Sequence, residues 1–188
     1  MPAMGKKLVK TLAGRTVAAH TLTHAHGDHV GGSRAVVDAL GVPFFAPAGD
    51  APAIEAGRQV PADNALKPVF GAMGRFKPVP IARRLQEGDD VAGFTVLDTP
   101  GHSPGHIAFW RERDRVLVCG DVWFNMLLPK LTPGLREPFG FVTPDPARNR
   151  ASMRRLADLE PDVVCFGHGP VMTDAAPKLR AFTDRAAA

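Results

Sequence analysis

Residues 23–29 read Thr23-His24-Ala25-His26-Gly27-Asp28-His29, and no other segment is so dense in side chains able to bind a metal ion. Three imidazoles and a carboxylate fall within six consecutive positions. The stretch Thr16 to Thr23 leads in, and Gly31 and Gly32 lead out into a helix-like segment. At the end of a strand, alternate side chains point to different sides. His24 and His26 would therefore face one ion, and Asp28 and His29 a second one beside it. A solvated polar loop is the competing reading, and the packing of four ligand-type residues argues against it.

Working outward, the chain supplies the further ligands that two ions need. Thr99-Pro100-Gly101-His102-Ser103-Pro104-Gly105-His106 follows the apolar run Phe94 to Leu97. Cys119-Gly120-Asp121 follows Val116 to Val118, and Phe166-Gly167-His168-Gly169 closes the run Val163 to Phe166. Glycine or proline brackets each motif, which lets the backbone turn sharply at a strand end. Together with residues 23–29, four strand ends would deliver ligand-type side chains to one place.

These motifs resemble those of the metallo-β-lactamase superfamily, in particular its glyoxalase II-like branch, over about Thr16 to His168. The resemblance implies an α/β fold (α+β in some schemes), an αββα metallo-β-lactamase-like sandwich, across a single metallo-hydrolase domain, residues 1–188. It implies that His24, His26 and His102 hold one metal ion, that Asp28, His29 and His168 hold a second, and that Asp121 bridges both. The expected cofactors are two zinc ions, which suit an all-nitrogen-and-oxygen ligand set, with iron or manganese as substitutes. The expected activity is hydrolysis of an ester, thioester or similar acyl bond by a metal-bound hydroxide, with Asp28 as the catalytic residue that orients it. Three alternatives stand beside it: a phosphodiesterase or RNA-processing nuclease, a mononuclear iron persulfide dioxygenase, and an inactive metal-binding remnant.

The same resemblance narrows the substrate. Penicillin-hydrolysing members generally lack an Asp at the Asp121 position. Quorum-quenching lactonases use an active-site tyrosine, and this sequence has none. Glyoxalase II proper carries a C-terminal helical extension that binds glutathione, whereas only a short segment follows His168 here. The expected partner is a small molecule with an apolar portion. Family members also begin with several strands that precede the helix ahead of the His-rich loop. Here that helix starts at Gly5, so the domain reads as N-terminally truncated. Leu8, Val9, Leu12 and Val17 are then expected to be more exposed than their types suggest, with self-association possible through the open edge.

Composition excludes other classes. Hydrophobic content of 45% and charged content of 22% over 188 residues suit a globular domain large enough to bury a core. No apolar run approaches the roughly 20 residues of a membrane span, and the N-terminus lacks a signal-like stretch, so a cytoplasmic protein without a membrane partner is expected. The net charge of +4 comes from scattered basic residues without interleaved aromatic platforms, which disfavours nucleic acid. Cys119 and Cys165 read as buried, reduced thiols. His106 reads as a packed histidine or one that supports a ligand residue, rather than a ligand itself, and His20 as a strand histidine with a local hydrogen bond.

Elements follow from punctuation and periodicity. Helices are predicted over residues 5–13, 33–40, 50–56 (with Asp50 or Ala51 near its cap), 145–159 and from 173 or 174 to 185. Strands are predicted over 16–22, 42–46, 106–111 and 115–119, the last two as a hairpin. Two segments rich in apolar residues, 58–80 and 122–144, are expected to wall a pocket over the metals, with Phe70, Met73, Phe76, Trp123, Phe124 and Met126 as candidate substrate contacts.

Overall fold

The computed structural model describes residues 2–60, 62, 65, 69, 74–127 and 131–187. Its layers follow from side-chain alternation on the central strands. In the strand β6 (Ile107–Arg111), Ala108 and Trp110 join one buried cluster while Ile107 and Phe109 join another. The strand after the hairpin turn, β7 (Val116–Gly120), does the same: Leu117 and Cys119 face one way, and Val118 the other. A strand with two apolar faces must be covered on both.

One face is covered by helices. Met153, Leu156 and Ala157 of α5 (Pro146–Ala157) and Leu179 of α6 (Ala175–Ala187) pack against Leu117, Trp110 and Val164. The other face meets a second sheet, where Leu85 and Phe45 pack against Val96, Ile107 and Phe109. That second sheet is β1 (His20–Thr21), β2 (Phe44–Pro47) and β3 (Arg83–Leu85), all parallel, in the order β1-β2-β3. Its outer face, Phe44 and Ala46, packs with Val30 of α2 (Gly27–Val30), Val37 of α3 (Ser33–Leu40) and Ile54 of α4 (Ala51–Glu55). The N-terminal helix α1 (Pro2–Thr11) lies on α3. The result is the αββα sandwich expected from the sequence.

The larger sheet runs β11-β10-β7-β6-β5-β4, with β4 (Asp90–Val91), β5 (Phe94–Asp98), β10 (Val163–Phe166) and β11 (Met172–Thr173). A separate hairpin, β8 (Phe124–Leu127) with β9 (Thr132–Arg136), leaves the end of β7. Helix α5 starts as its sequence suggests: the Asp145 side chain accepts the Arg148 N–H at 2.9 Å and Pro146 occupies the first turn.

Some expectations are corrected. Of the strand predicted over 16–22, only His20 and Thr21 pair, because β2 alone borders that segment among the described residues; a strand exists only where a neighbour completes its ladder. Residues 16–19 instead line a groove of about 720 Å³ with Phe45, Val91, Phe94, Phe109 and Val118. Leu8 is 41% exposed, whereas Val9, Leu12 and Val17 are half-buried. Cys119 is buried, but Cys165 is only half-buried. No helix among the described residues is long and apolar enough to cross a membrane.

Candidate metal centre

Four chain crossings build the site. His24 and His26 lie just past β1, and Asp28 and His29 open α2. His102 sits in the loop between β5 and β6, Asp121 directly follows β7, and His168 follows β10. Because β7 and β10 are parallel neighbours, their C-terminal ends come together, and the Gly167 N–H donates to the Gly120 carbonyl at 2.9 Å. Open α/β sheets place ligands at such strand ends.

Within this frame the ligand atoms converge. His24 Nε2 lies 3.1 Å from His26 Nδ1, which lies 2.8 Å from His102 Nε2. A tetrahedral ion with bonds near 2.05 Å would hold such nitrogens about 3.3 Å apart, so the triad needs only a slight opening. His168 Nε2 lies 3.2 Å from Asp28 Oδ2, and His29 Nε2 lies 3.8 Å from the same atom. Asp121 Oδ2 stands between the two groups, 3.2 Å from His102, 3.3 Å from His29, 3.3 Å from His168 and 3.8 Å from His24. All seven side chains named from the sequence meet in one place.

The rings are aimed by partners that the sequence reading did not name. Thr143 Oγ1 donates to the Phe139 carbonyl at 2.9 Å, so it must accept from His102 Nδ1, 3.1 Å away. That fixes the proton on Nδ1 and leaves the Nε2 lone pair facing the centre. Thr23 Oγ1 lies 3.1 Å from His24 Nδ1. The Asp121 N–H donates to His106 Nε2 at 3.1 Å, so His106 carries its proton on Nδ1 and donates to Thr99 Oγ1 at 2.8 Å. His106 thus holds the backbone of Asp121 and is not a member of the converging set. His20 bonds to Ser33 at 2.8 Å.

Asp50, one of the two residues expected near the start of the helix 50–56, makes no capping bond. Its Oδ2 accepts from the Ala25 N–H at 2.8 Å and from Ser103 Oγ at 2.7 Å, and its Oδ1 accepts from the Gly105 N–H at 2.7 Å. Only the sequence Asp-Ala-Pro, which also fits a cap, hinted at this residue.

Two buried atoms test whether a metal fits. Among the described residues Asp121 Oδ1 has no hydrogen-bond partner, and His29 Nε2 has none that is well aligned, meeting Asp121 Oδ2 only as an ion-pair contact at 3.3 Å. Such atoms cost free energy unless another group satisfies them. Cations would satisfy both, and the donor set of imidazoles and carboxylates is one that zinc, iron or manganese accepts. The charges fall into two classes. Burial pushes His24 well below its ordinary value and His26 down to about 3, so both rings are neutral, as ligation requires. Hydrogen bonds to Asp121 and Asp28 raise His168 to about 10. Burial alone would lower His29, yet the charge of Asp121 raises it. Burial alone would raise the Asp121 carboxyl, but His29, His102 and His168 hold it well below the usual range.

A measurable consequence follows. Proton and metal compete for the same nitrogen, so loading at pH 7 should displace at least one proton from the His29–His168 pair and none from His24 or His26. Affinity at the Asp28–His29–His168 site should accordingly rise with pH until roughly pH 10, the value to which His168 is raised. Zinc calorimetry in buffers of different ionisation enthalpy counts the protons; uptake with no release at neutral pH would contradict this charge assignment.

A cleft of about 400 Å³ opens onto His26, Asp28, His102, Asp121 and His168 and is otherwise walled by Phe124, Met126, Phe139, Phe141, Val142, Gln59 and Gly74. Phe124 also packs on His168, with ring centroids 4.6 Å apart. Phe124 and Met126 are thus where the sequence reading put them. Trp123 is not: it is fully buried with Leu117 and Met153 beneath the sheet, because it alternates with Phe124 and takes the opposite face. Phe76 is likewise corrected, packing against the cluster of Leu22, Phe44 and Ile54. Phe70 and Met73 lie outside the described residues.

Comparison with known proteins agrees with this geometry. The family model described as "Metallo-beta-lactamase superfamily" matches residues 7–168. The chain is 29% identical over 170 residues to the "Probable metallo-hydrolase YflN" of Bacillus subtilis (strain 168), covering 81% of this chain and 64% of that protein. It is 29% identical over 155 residues to a "Hydroxyacylglutathione hydrolase" of Bdellovibrio bacteriovorus, covering 80% of this chain and 48% of that one. The chain therefore spans about half to two thirds of the length of these relatives. Among solved structures it is similar to TTHA1623 in a di-iron-bound form, with TM-score 0.69 and 32% identity over 92% of this chain and 81% of that chain.

Proposed function

Because the chain belongs to the metallo-β-lactamase superfamily, we propose that it is a binuclear metal-dependent hydrolase of an ester, thioester or similar acyl bond. The observation that carries this reading is the arrangement of His24, His26 and His102 beside Asp28, His29 and His168 around one Asp121 oxygen, at the floor of an apolar cleft. Zinc is the proposed metal at both positions. Iron is the closest substitute, in line with the di-iron form of the similar structure. When bound, the two ions would supply Lewis acidity, lowering the pKa of a water and polarising the substrate carbonyl.

The residues of the chain divide the remaining work. His24, His26 and His102 present neutral donors or, for His102, a lone pair aimed by Thr143. Asp121 carries negative charge between two cationic positions, which offsets their mutual repulsion. Asp28, 44% exposed, reaches into the cleft. Burial alone would raise its carboxyl, but His168 and His29 hold it below the usual range. Asp28 is therefore charged at neutral pH and able to accept a proton on Oδ from an attacking water and to orient that water. Phe124, Met126, Phe139 and Phe141 would bind the apolar portion of an acyl substrate and keep bulk water from the reacting carbonyl. The hydroxyacylglutathione hydrolase relatives support a thioester among the candidates.

A panel of thioesters, lactones, aryl esters, phosphodiesters and RNA, assayed with metal present, tests the reading. Chelator-sensitive turnover of acyl substrates is the expected result. Turnover of phosphodiesters or RNA alone would replace it with the nuclease, and oxygen consumption with a persulfide and a single iron would replace it with the dioxygenase.

A further inference from the structure

We propose that Asp50 is a positioning residue that aims the His24–His26–His102 triad, an inference that rests on the binuclear reading above. Asp50 is 1% exposed, and its carboxylate accepts from Ala25, Ser103 and Gly105. Among the described residues no lysine or arginine pairs with it. Ala25 lies between His24 and His26, and Ser103 directly follows His102. One carboxylate thus clamps together the two loops that carry all three imidazoles, across sequence separations of 25 and 53 residues.

Three further observations give the clamp its purpose. His102 and His24 have hydroxyl partners behind their rings, Thr143 and Thr23. Among the described residues His26 has none: its ring contacts run forward through Nδ1 to His24 and His102. The aim of His26 therefore depends on the backbone at 25–26, and Asp50 holds that backbone through the Ala25 N–H. The clamp also has no slack. A Cβ on Gly49 would lie 2.7 Å from the Gly105 Cα, and one on Gly105 would overlap the Asp50 backbone nitrogen. The segment bearing Asp50 and the loop after His102 are thus in direct backbone contact. Finally, the side chain forgoes the helix cap that its position offers, leaving the two loops as its only hydrogen-bond partners among the described residues.

Asp50→Ala deletes all three acceptor contacts. Asp50→Asn keeps the shape but must turn its NH2 toward either the Gly105 N–H or the Ala25 and Ser103 donors, so at least one contact becomes donor against donor. Ser103→Ala removes only one donor and leaves the carboxylate in place. Zinc titration against a chromophoric chelator gives the affinity of each site, and histidine ring NMR assigns each to its residues. Melting of the metal-free protein reports the fold. In Asp50→Ala the dissociation constant of the His24–His26–His102 site is expected to rise roughly 10–100-fold, with smaller rises in Asp50→Asn and Ser103→Ala. The Asp28–His29–His168 site should change little, and saturating zinc should restore most of the turnover. Equal weakening of both sites, in step with the melting temperature, would make Asp50 merely structural and overturn the proposal. So would unchanged affinity in all three variants. If Asp50→Ala does not fold, Ser103→Ala decides, and wild-type affinity there overturns the proposal. A wild-type protein that takes up no zinc overturns the binuclear reading and this inference with it.

Discussion

Asp121→Ala is expected to strip both metals from the protein and to lower turnover about 10³-fold or more. The magnitude rests on the several kcal/mol that metal ions supply to such a reaction, at 1.36 kcal/mol per factor of ten. The effect should be large because Asp121 Oδ2 lies within 4 Å of ligand nitrogens from both groups: His24 and His102 on one side, His29 and His168 on the other. Removing it also takes from His168 one of the two hydrogen bonds, and from His29 the larger of the two charges, that raise their pKa values, so both rings should titrate lower in the variant. His168→Ala makes the contrast, because it touches Asp28 and Asp121 but not the triad. It should empty the Asp28–His29–His168 site while the other retains metal. Metal content and turnover measured side by side check this. An Asp121→Ala protein with full metal content and near-normal activity would remove the bridge from the account.

Gly167→Ala is expected to lower kcat/KM by about 10²-fold, the usual consequence of displacing a site by roughly 1 Å. Gly167 has little room to give. Its N–H is tied to the Gly120 carbonyl at 2.9 Å, a Cβ on it would overlap Asp121 Oδ1, and the same Cβ would approach His29 Cε1 at 2.8 Å. The added methyl must push Asp121 or His29 off its present position. The fold should survive, since the position borders the site rather than the core clusters, so the loss should appear in metal affinity and rate at nearly unchanged melting temperature. Activity within a few-fold of wild type would mean that the loop after β10 yields more easily than this packing implies.

Both predictions act on motifs that the sequence displayed openly. The ligand-type residues were legible because each motif is local: a short apolar run, a glycine or proline turn, then histidine or aspartate. Where such motifs end neighbouring strands, convergence follows from the sheet. The features that were not legible are long-range. Asp50 looked like a cap because its true partners lie at Ala25, Ser103 and Gly105, which local pattern cannot connect. Thr143 gave no signal for the same reason, acting on His102 from 41 positions away. Trp123 and Phe124 are adjacent and similar in character, and only the strand that starts at Phe124 decides which enters the cleft and which is buried. The segment 16–19 had strand-like composition but, among the described residues, no neighbour to pair with, so composition misled there. The β8–β9 hairpin lies in the segment 122–144, expected to wall the pocket with no strand assigned to it; its pairing skips register near Met126, which tolerates Pro133 and Gly134 within a strand.

The account stands on two metal ions sharing one carboxylate, and elemental analysis of protein reconstituted with zinc and freed of excess metal tests that directly. Close to two zinc ions per chain is the result the seven converging ligands require. A content near zero would contradict the metal centre altogether, and a content fixed at one, unchanged in Asp28→Ala and His168→Ala, would contradict the binuclear site.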